Sequence, residues 1–129
     1  LRDFVNIHDV VDANILAMSD NRTDYQIYNV GGGKAYSVRE FAEIVASEFG
    51  KPHIKPRITG EYRFGDTRNA CSDISKLSSL GWKPQRTAKD SVREYINYLK
   101  AQTDIQDILD YAEKTMKNLN VVRKVTEKA

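Results

Sequence analysis

Arg63-Phe64-Gly65-Asp66-Thr67-Arg68 places two guanidinium groups on either side of a Gly-Asp pair. A guanidinium is a planar, permanently charged fork that can grip a phosphate with two parallel N–H···O bonds. Gly65 would let backbone come close to a bound group, and a carboxylate such as Asp66 can accept hydrogen bonds from sugar hydroxyls. Read by itself, the block is equally a surface turn in which Asp66 pairs with Arg63 or Arg68. Surface ion pairs are common and contribute little, so in isolation the turn is the better reading.

Other residue types invite weaker chemistry. Gly31-Gly32-Gly33 suggests a dinucleotide loop, but the fingerprint needs G-x-G-x-x-G between a strand and a helix. Lys34, Ala35 and Tyr36 follow instead, so a tight turn leaving a strand is preferred. Asn29, just before it, is a turn residue or a ligand contact. Lys51, His53, Lys55 and Arg57 alternate as on one side of a strand, in the manner of a nucleic-acid patch. Glu48 and Glu61 flank them and no aromatics interleave, so a solvated face is expected and no nucleic-acid partner. His8 and Cys71 each stand alone, whereas a nucleophile needs a positioned base. Trp82 reads as a core anchor, and Lys34, Arg39 and Arg86 as solvated charges.

These residues must be held by a set of short elements. Phe4–Ile7 reads as a strand. Asp9 is the expected cap of a following helix, with Val11, Ile15 and Met18 on one face. Gln26–Val30 reads as a second strand. Ser37 with Glu40 forms a capping box, with Tyr36 and Phe41 at the staple positions, and Gly50 and Pro52 end that helix. Lys51–Ile58 is a strand candidate. Asp73–Leu80 is a short helix with Ser72 as its cap. Thr87 with Asp90 starts a helix carrying Val92, Tyr95, Ile96 and Leu99 on one stripe. A tail helix spans Asp104–Leu119, with Ile105, Ile108, Leu109, Ala112, Met116 and Leu119 on its apolar stripe. Val121–Ala129 is expected to fray. Strands alternating with helices make the class α/β. Residues 1–100 are expected to form one domain and 101–129 a C-terminal helical tail.

The totals bound the function. The 129 residues are 40% apolar and 29% charged with a net charge of +2, which suits one soluble domain and demands neither nucleic acid nor an anionic membrane. No apolar run approaches a membrane span. One cysteine excludes an internal disulfide and is compatible with a reducing cytosol, so a cytoplasmic location is expected. Two histidines and that cysteine give no zinc spacing. The chain opens on Leu1 inside a strand-like run without a signal-peptide pattern, and it is expected to be a piece of a longer chain.

Four blocks, taken in order, resemble the extended short-chain dehydrogenases/reductases that act on nucleotide sugars. Arg2-Asp3-Phe4-Val5-Asn6-Ile7-His8-Asp9-Val10-Val11-Asp12-Ala13 resembles R-D-[FY]-[VI]-H-V-x-D-V-x-x-A. Tyr28-Asn29-Val30-Gly31-Gly32-Gly33, with Ser37-Val38-Arg39-Glu40, resembles N-[VL]-G-x-G-x-x-x-S-[VI]-x-E. Arg63 to Arg68 resembles R-x-G-D-x-R. Ser72-Asp73-Ile74-Ser75-Lys76, with Leu80-Gly81-Trp82-Lys83-Pro84, resembles S-D-x-S-K-x-x-x-L-G-[WY]-x-P. The match runs from Leu1 to about Leu99. It implies the C-terminal, substrate-binding portion of such an enzyme, with the N-terminal Rossmann half missing. It also implies that Arg2 and Arg63 hold a diphosphate, that Asp66 meets the nucleotide ribose, and that Phe4 lines the nucleotide pocket where relatives often have Tyr. Arg68 is a second candidate for phosphate. Asn6 departs from the usual His of the first block, and Asn69 stands where many relatives have His.

The family's catalytic Tyr-x-x-x-Lys pair is not among these residues: none of the seven tyrosines has a lysine four positions on. The chain is therefore expected to hold no catalytic, cofactor-binding or metal-binding residue, with NAD and a UDP- or dTDP-linked sugar belonging to the full-length parent. The parent reads as an epimerase, alternatively a dehydratase. A non-catalytic binding or interaction module is the reading from another class. Exposed edges and uncovered apolar surface would favour a homo-oligomer.

Overall fold

The computed structural model describes residues 1–104 and 107–125. Asn6, not Asp9, caps the first helix, α1 (Ile7–Ser19): its side-chain oxygen accepts from the His8 N–H at 2.8 Å. The expected strand over Phe4–Ile7 shifts accordingly. Strand β1 is Arg2–Asp3, and Ile7 already belongs to the helix. An Asx side chain on extended backbone can satisfy a free N–H at a helix start, and Asn6 does so ahead of Asp9.

Asp9 has a different role. It is 1% exposed, and its oxygens accept from the backbone N–H groups of Gln85 at 3.2 Å and Arg86 at 3.0 Å. Arg86 Nη1 donates to it as well, at 2.8 Å. A buried carboxylate is tolerated when donors surround it. Arg86, expected to be solvated, also reaches Asp12 at 3.2 Å and so straps α1 to the segment ahead of the fourth helix. The apolar stripe expected on α1 faces the wrong way for a core: Val11, Ile15 and Met18 are 46%, 58% and 88% exposed. The buried face runs instead through Asp9 and Ala13, with Leu16 packed on the core.

A 3₁₀ turn (Asn21–Thr23) closes α1. Thr23 Oγ1 donates to the Ala17 and Asp20 carbonyls, both at 2.7 Å. The Arg22 guanidinium beside Asp20 holds that carboxyl down at about 2. Gln26–Val30, expected as a strand, has no strand partner among the described residues. Side chains answer it instead: Lys76 Nζ donates to the Ile27 carbonyl at 3.0 Å, and Asn29 Nδ2 to the Asp73 carbonyl at 3.4 Å.

Strand β2 (Ala35–Tyr36) pairs antiparallel with β1, placing Arg2 opposite Tyr36 and Asp3 opposite Ala35. The glycine run before it does not leave a strand and bends only at Gly33; the need for glycine there is steric. A Cβ on Gly31 would collide with the Asp3 carboxylate, and one on Gly32 with the Phe4 carbonyl oxygen. Asp3 Oδ1 accepts from the Gly32 N–H at 2.7 Å.

Helix α2 (Val38–Glu48) begins at the expected capping box: Ser37 N–H donates to Glu40 Oε2 at 2.7 Å, and Glu40 N–H to Ser37 Oγ at 3.1 Å. It ends with Lys51 N–H on the Ala46 carbonyl and Gly50 N–H on that of Ser47. This is the paired-bond termination in which Gly50, at φ 71°, takes the left-handed position. Lys51–Ile58 does not form the expected strand. Pro52 and Pro56 lack ladder donors, and the four basic residues are exposed.

Strand β3 (Glu61–Arg63) follows, then helix α3 (Ser75–Ser78), shorter than the expected Asp73–Leu80. Ser72 is not its cap; Asp73 Oδ1 accepts from the Ser75 N–H at 2.9 Å. Trp82 is the core anchor the sequence predicts, packed with Ala13 and Leu77 against Leu16, Tyr28, Val30, Ile74 and Leu80.

Helix α4 (Ala88–Ala101) opens on its expected Thr87–Asp90 box. Val92 and Ile96 are buried and Leu99 is half-buried, but Tyr95 turns outward and stacks on Tyr98. Helix α4 packs on α2. There Glu48 pairs with Lys89 at 3.2 Å and with Arg93. Burial pushes the Glu48 carboxyl up, but the bonds from Arg93 and Lys89 outweigh it and leave the group below its usual range.

The tail differs most from expectation. Its helix, α5, is Leu109–Asn118; Ile105 lies outside the described residues. Ala112 and Met116 are half-buried, whereas Ile108, Leu109 and Leu119 are exposed. Of the segment expected to fray, residues 126–129 lie outside the described residues, and the rest contains strand β4 (Val122–Lys124), antiparallel to β3 with Glu61 opposite Lys124 and Arg63 opposite Val122. The fold is thus helices alternating with short strands, with two antiparallel ribbons, β1–β2 and β3–β4.

Candidate diphosphate site

The segment after β3 is drawn back toward β1. Asp3 N–H donates to the Ala70 carbonyl at 3.0 Å, and Arg2 forms a parallel bridge with Ala70. This contact places the first three residues beside a loop more than sixty positions away. Between them lies a cleft of about 1000 Å³.

All five residues singled out from the sequence line this cleft. Arg2 and Phe4 come from β1 and the extended residues after it, Arg63 from the end of β3, and Asp66 and Arg68 from the loop. Phe4 is held from behind by Phe41 of α2, their rings stacked at 3.8 Å and 11°; Tyr36 is tilted against it at 6.3 Å. Phe4 therefore sits with both aromatics that the sequence sets at the helix-staple positions.

The loop is a tight turn. Asp66 N–H donates to the Arg63 carbonyl at 3.1 Å, and Gly65 has φ 89°, a region glycine adopts without strain. Across the turn, Arg63 Nε donates to Asp66 Oδ2 at 3.3 Å. The surface-turn reading is thus realised, with both partners substantially exposed. The pair stands at the cleft wall, where an anion could compete for the guanidinium.

Several lining residues were not foreseen: Val38, Glu61, Tyr62, Thr67, Lys124 and Val125. The β-branched Val121, Val122 and Val125 were a strand signal, but nothing in the spacing points to a partner sixty residues earlier. A second cavity of about 370 Å³ lies by α2 and includes Glu40 and Glu48. Those carboxylates already serve the capping box and the α2–α4 ion pairs.

The glycine run packs tightly on the β1 segment, since a side chain at Gly31 or Gly32 would meet Asp3 and Phe4. Among the described residues, no three His, Cys, Asp or Glu side chains gather as metal ligands. No helix among them is long and apolar enough to cross a membrane.

No family model matches the chain. It is 35% identical over 104 residues to dTDP-L-rhamnose 4-epimerase of Burkholderia thailandensis, covering 80% of this chain and 28% of that protein. It is 36% identical over 96 residues to dTDP-6-deoxy-L-talose 4-dehydrogenase (NAD(P)(+)) of Kitasatospora kifunensis, covering 73% and 30%. The crystal structure of UDP-glucose 4-epimerase from Thermotoga maritima with UDP-glucose superposes with a TM-score of 0.65 at 28% identity, covering 77% of this chain and 31% of that one. The chain belongs to the nucleotide-sugar epimerase/dehydratase family of extended short-chain dehydrogenases/reductases. It spans about three-tenths of the length of these relatives.

Within this family the Asn6 departure has a structural account. Asn6 is 2% exposed; besides capping α1, its Nδ2 donates to Ser91 Oγ at 3.0 Å and Glu94 Oε2 at 3.1 Å. Asn6, at the position where the resembled block carries His, thus joins α1 to α4.

Proposed function

We propose that this chain is the substrate-binding part of a cytoplasmic NAD-dependent nucleotide-sugar epimerase, and that its cleft receives the nucleotide diphosphate. The observation that carries this reading is the convergence of Arg2, Phe4, Arg63, Asp66 and Arg68 on one cleft from two segments sixty residues apart. Arg2 and Arg63 supply forks for a group with two negative charges. A phosphate that draws Arg63 away from Asp66 also releases the Asp66 carboxylate to accept from ribose hydroxyls. Phe4, backed by Phe41, gives the nucleotide an apolar wall. Epimerase is favoured over dehydratase because the dTDP-rhamnose and UDP-glucose relatives are 4-epimerases by name.

What these residues do is bind and orient. NAD, which in the parent would accept and return hydride, is assigned to the rest of the parent because the sequence carries no G-x-G-x-x-G fingerprint. The chain alone is therefore expected to turn over no UDP- or dTDP-sugar when NAD is added, and turnover would overturn this reading. Saturation-transfer NMR should detect weak binding of UDP and UDP-glucose but not of uridine, because recognition rests on the diphosphate. Uridine binding as well as UDP would contradict it.

The parent is also proposed to be a homo-oligomer, and this chain to associate with itself. The stripe of Ile7, Val11, Ile15 and Met18 on α1 is apolar and at least 46% exposed at each position, and contiguous apolar surface favours association. Sedimentation should show self-association at high concentration; a monodisperse monomer would count against it.

A further inference from the structure

The geometry points to Lys124, on the tail strand, as a further anion-binding residue of the cleft. This inference rests on the diphosphate reading above and extends it to a segment beyond the four family-like blocks. Strand β4 is fixed by its register on β3 and by bonds at both ends: Phe64 N–H to the Val121 carbonyl at 2.6 Å, and Val125 N–H to the Gly60 carbonyl at 2.9 Å. The Arg123 guanidinium lies 3.8 Å from the centroid of the Phe64 ring. Successive strand residues project to opposite faces. With Arg123 committed to Phe64, Lys124 projects to the face that carries Arg63, and it lines the cleft with it.

Charge supports the assignment. The cleft is lined by four cations, Arg2, Arg63, Arg68 and Lys124, against two carboxylates, Glu61 and Asp66, which leaves a net charge of +2. That excess opposes the two negative charges of a nucleotide-sugar diphosphate, and without Lys124 it falls to +1. Among the described residues, no carboxylate lies within 4.0 Å of the Lys124 amine. A flexible ammonium group at the rim can follow a phosphate that the planar arginines hold in place.

The test is titration of the full 129-residue chain with UDP, followed by amide NMR, for wild type, K124A, K124Q, K124R and R63A. Losing one charge-assisted contact should weaken UDP binding about fivefold to tenfold in K124A and K124Q, while K124R stays within about twofold because it keeps the charge. K124Q keeps the stem, so it reports on charge even if K124A disturbs the ribbon. Near wild-type affinity in K124Q, with binding lost in R63A, overturns the role of Lys124 and leaves the cleft reading standing. Absence of UDP binding by wild type overturns both.

Discussion

Asp9→Ala should destabilise the chain by about 3 kcal/mol, measured by urea unfolding. The substitution removes the acceptor for two backbone N–H groups, those of Gln85 and Arg86, at a position 1% exposed. The Arg86 guanidinium is not stranded, since it keeps Asp12 and its side chain is 35% exposed. The cost therefore comes mainly from the unanswered amides. Asp12→Ala is the control. That carboxylate is 52% exposed, and its loss should cost under about 1 kcal/mol. Equal effects at the two positions would sink the view that Asp9 is the buried strap between α1 and the α4 entry.

Arg63→Ala should weaken UDP binding by at least about tenfold, the scale expected for losing a hydrogen-bonded charge on phosphate. Stability should change little. The Arg63–Asp66 pair is exposed on both sides, and such pairs contribute little to folding. The turn keeps its backbone bond from Asp66 N–H to the Arg63 carbonyl, and β3 keeps its register. Arg63→Lys should recover part of the affinity, because the charge returns without the planar fork. Unfolding free energies within about 0.5 kcal/mol of wild type, alongside the lost affinity, would separate a ligand role from a structural one. A large loss of stability with unchanged affinity would reverse the assignment.

What could be read from the residues divides by how far apart the partners lie. Both capping boxes, Ser37–Glu40 and Thr87–Asp90, are closed within one helical turn and form as expected. Trp82 sits in the core, where its large apolar ring packs with Ala13 and Leu77. Asp9 looked like a cap because local rules see only its near neighbours, whereas its donors lie at Gln85 and Arg86. Period alone cannot say which face of α1 meets the core. The stripe of Val11, Ile15 and Met18 is regular, yet the buried face is the one carrying Asp9 and Ala13. Strand candidates at Gln26–Val30 and Lys51–Ile58 had the composition but find no partner among the described residues. Val122–Lys124 had one, β3, that no local signal reveals. Arg63, Asp66 and Arg68 stand out by residue type, whereas Arg2 and Phe4 come only from the ordered family-like blocks. Lys124, outside those blocks, required the fold.

The most direct test of the cleft is to map UDP on the full chain by backbone amide shifts. The diphosphate reading predicts changes that gather at Arg2–Phe4, at Arg63–Arg68 and along Val122–Val125, with the exposed stripe of α1 silent. Changes centred on Lys51–Arg57 would contradict it, because they would mark UDP as a counterion to the solvated basic segment rather than a ligand of the cleft.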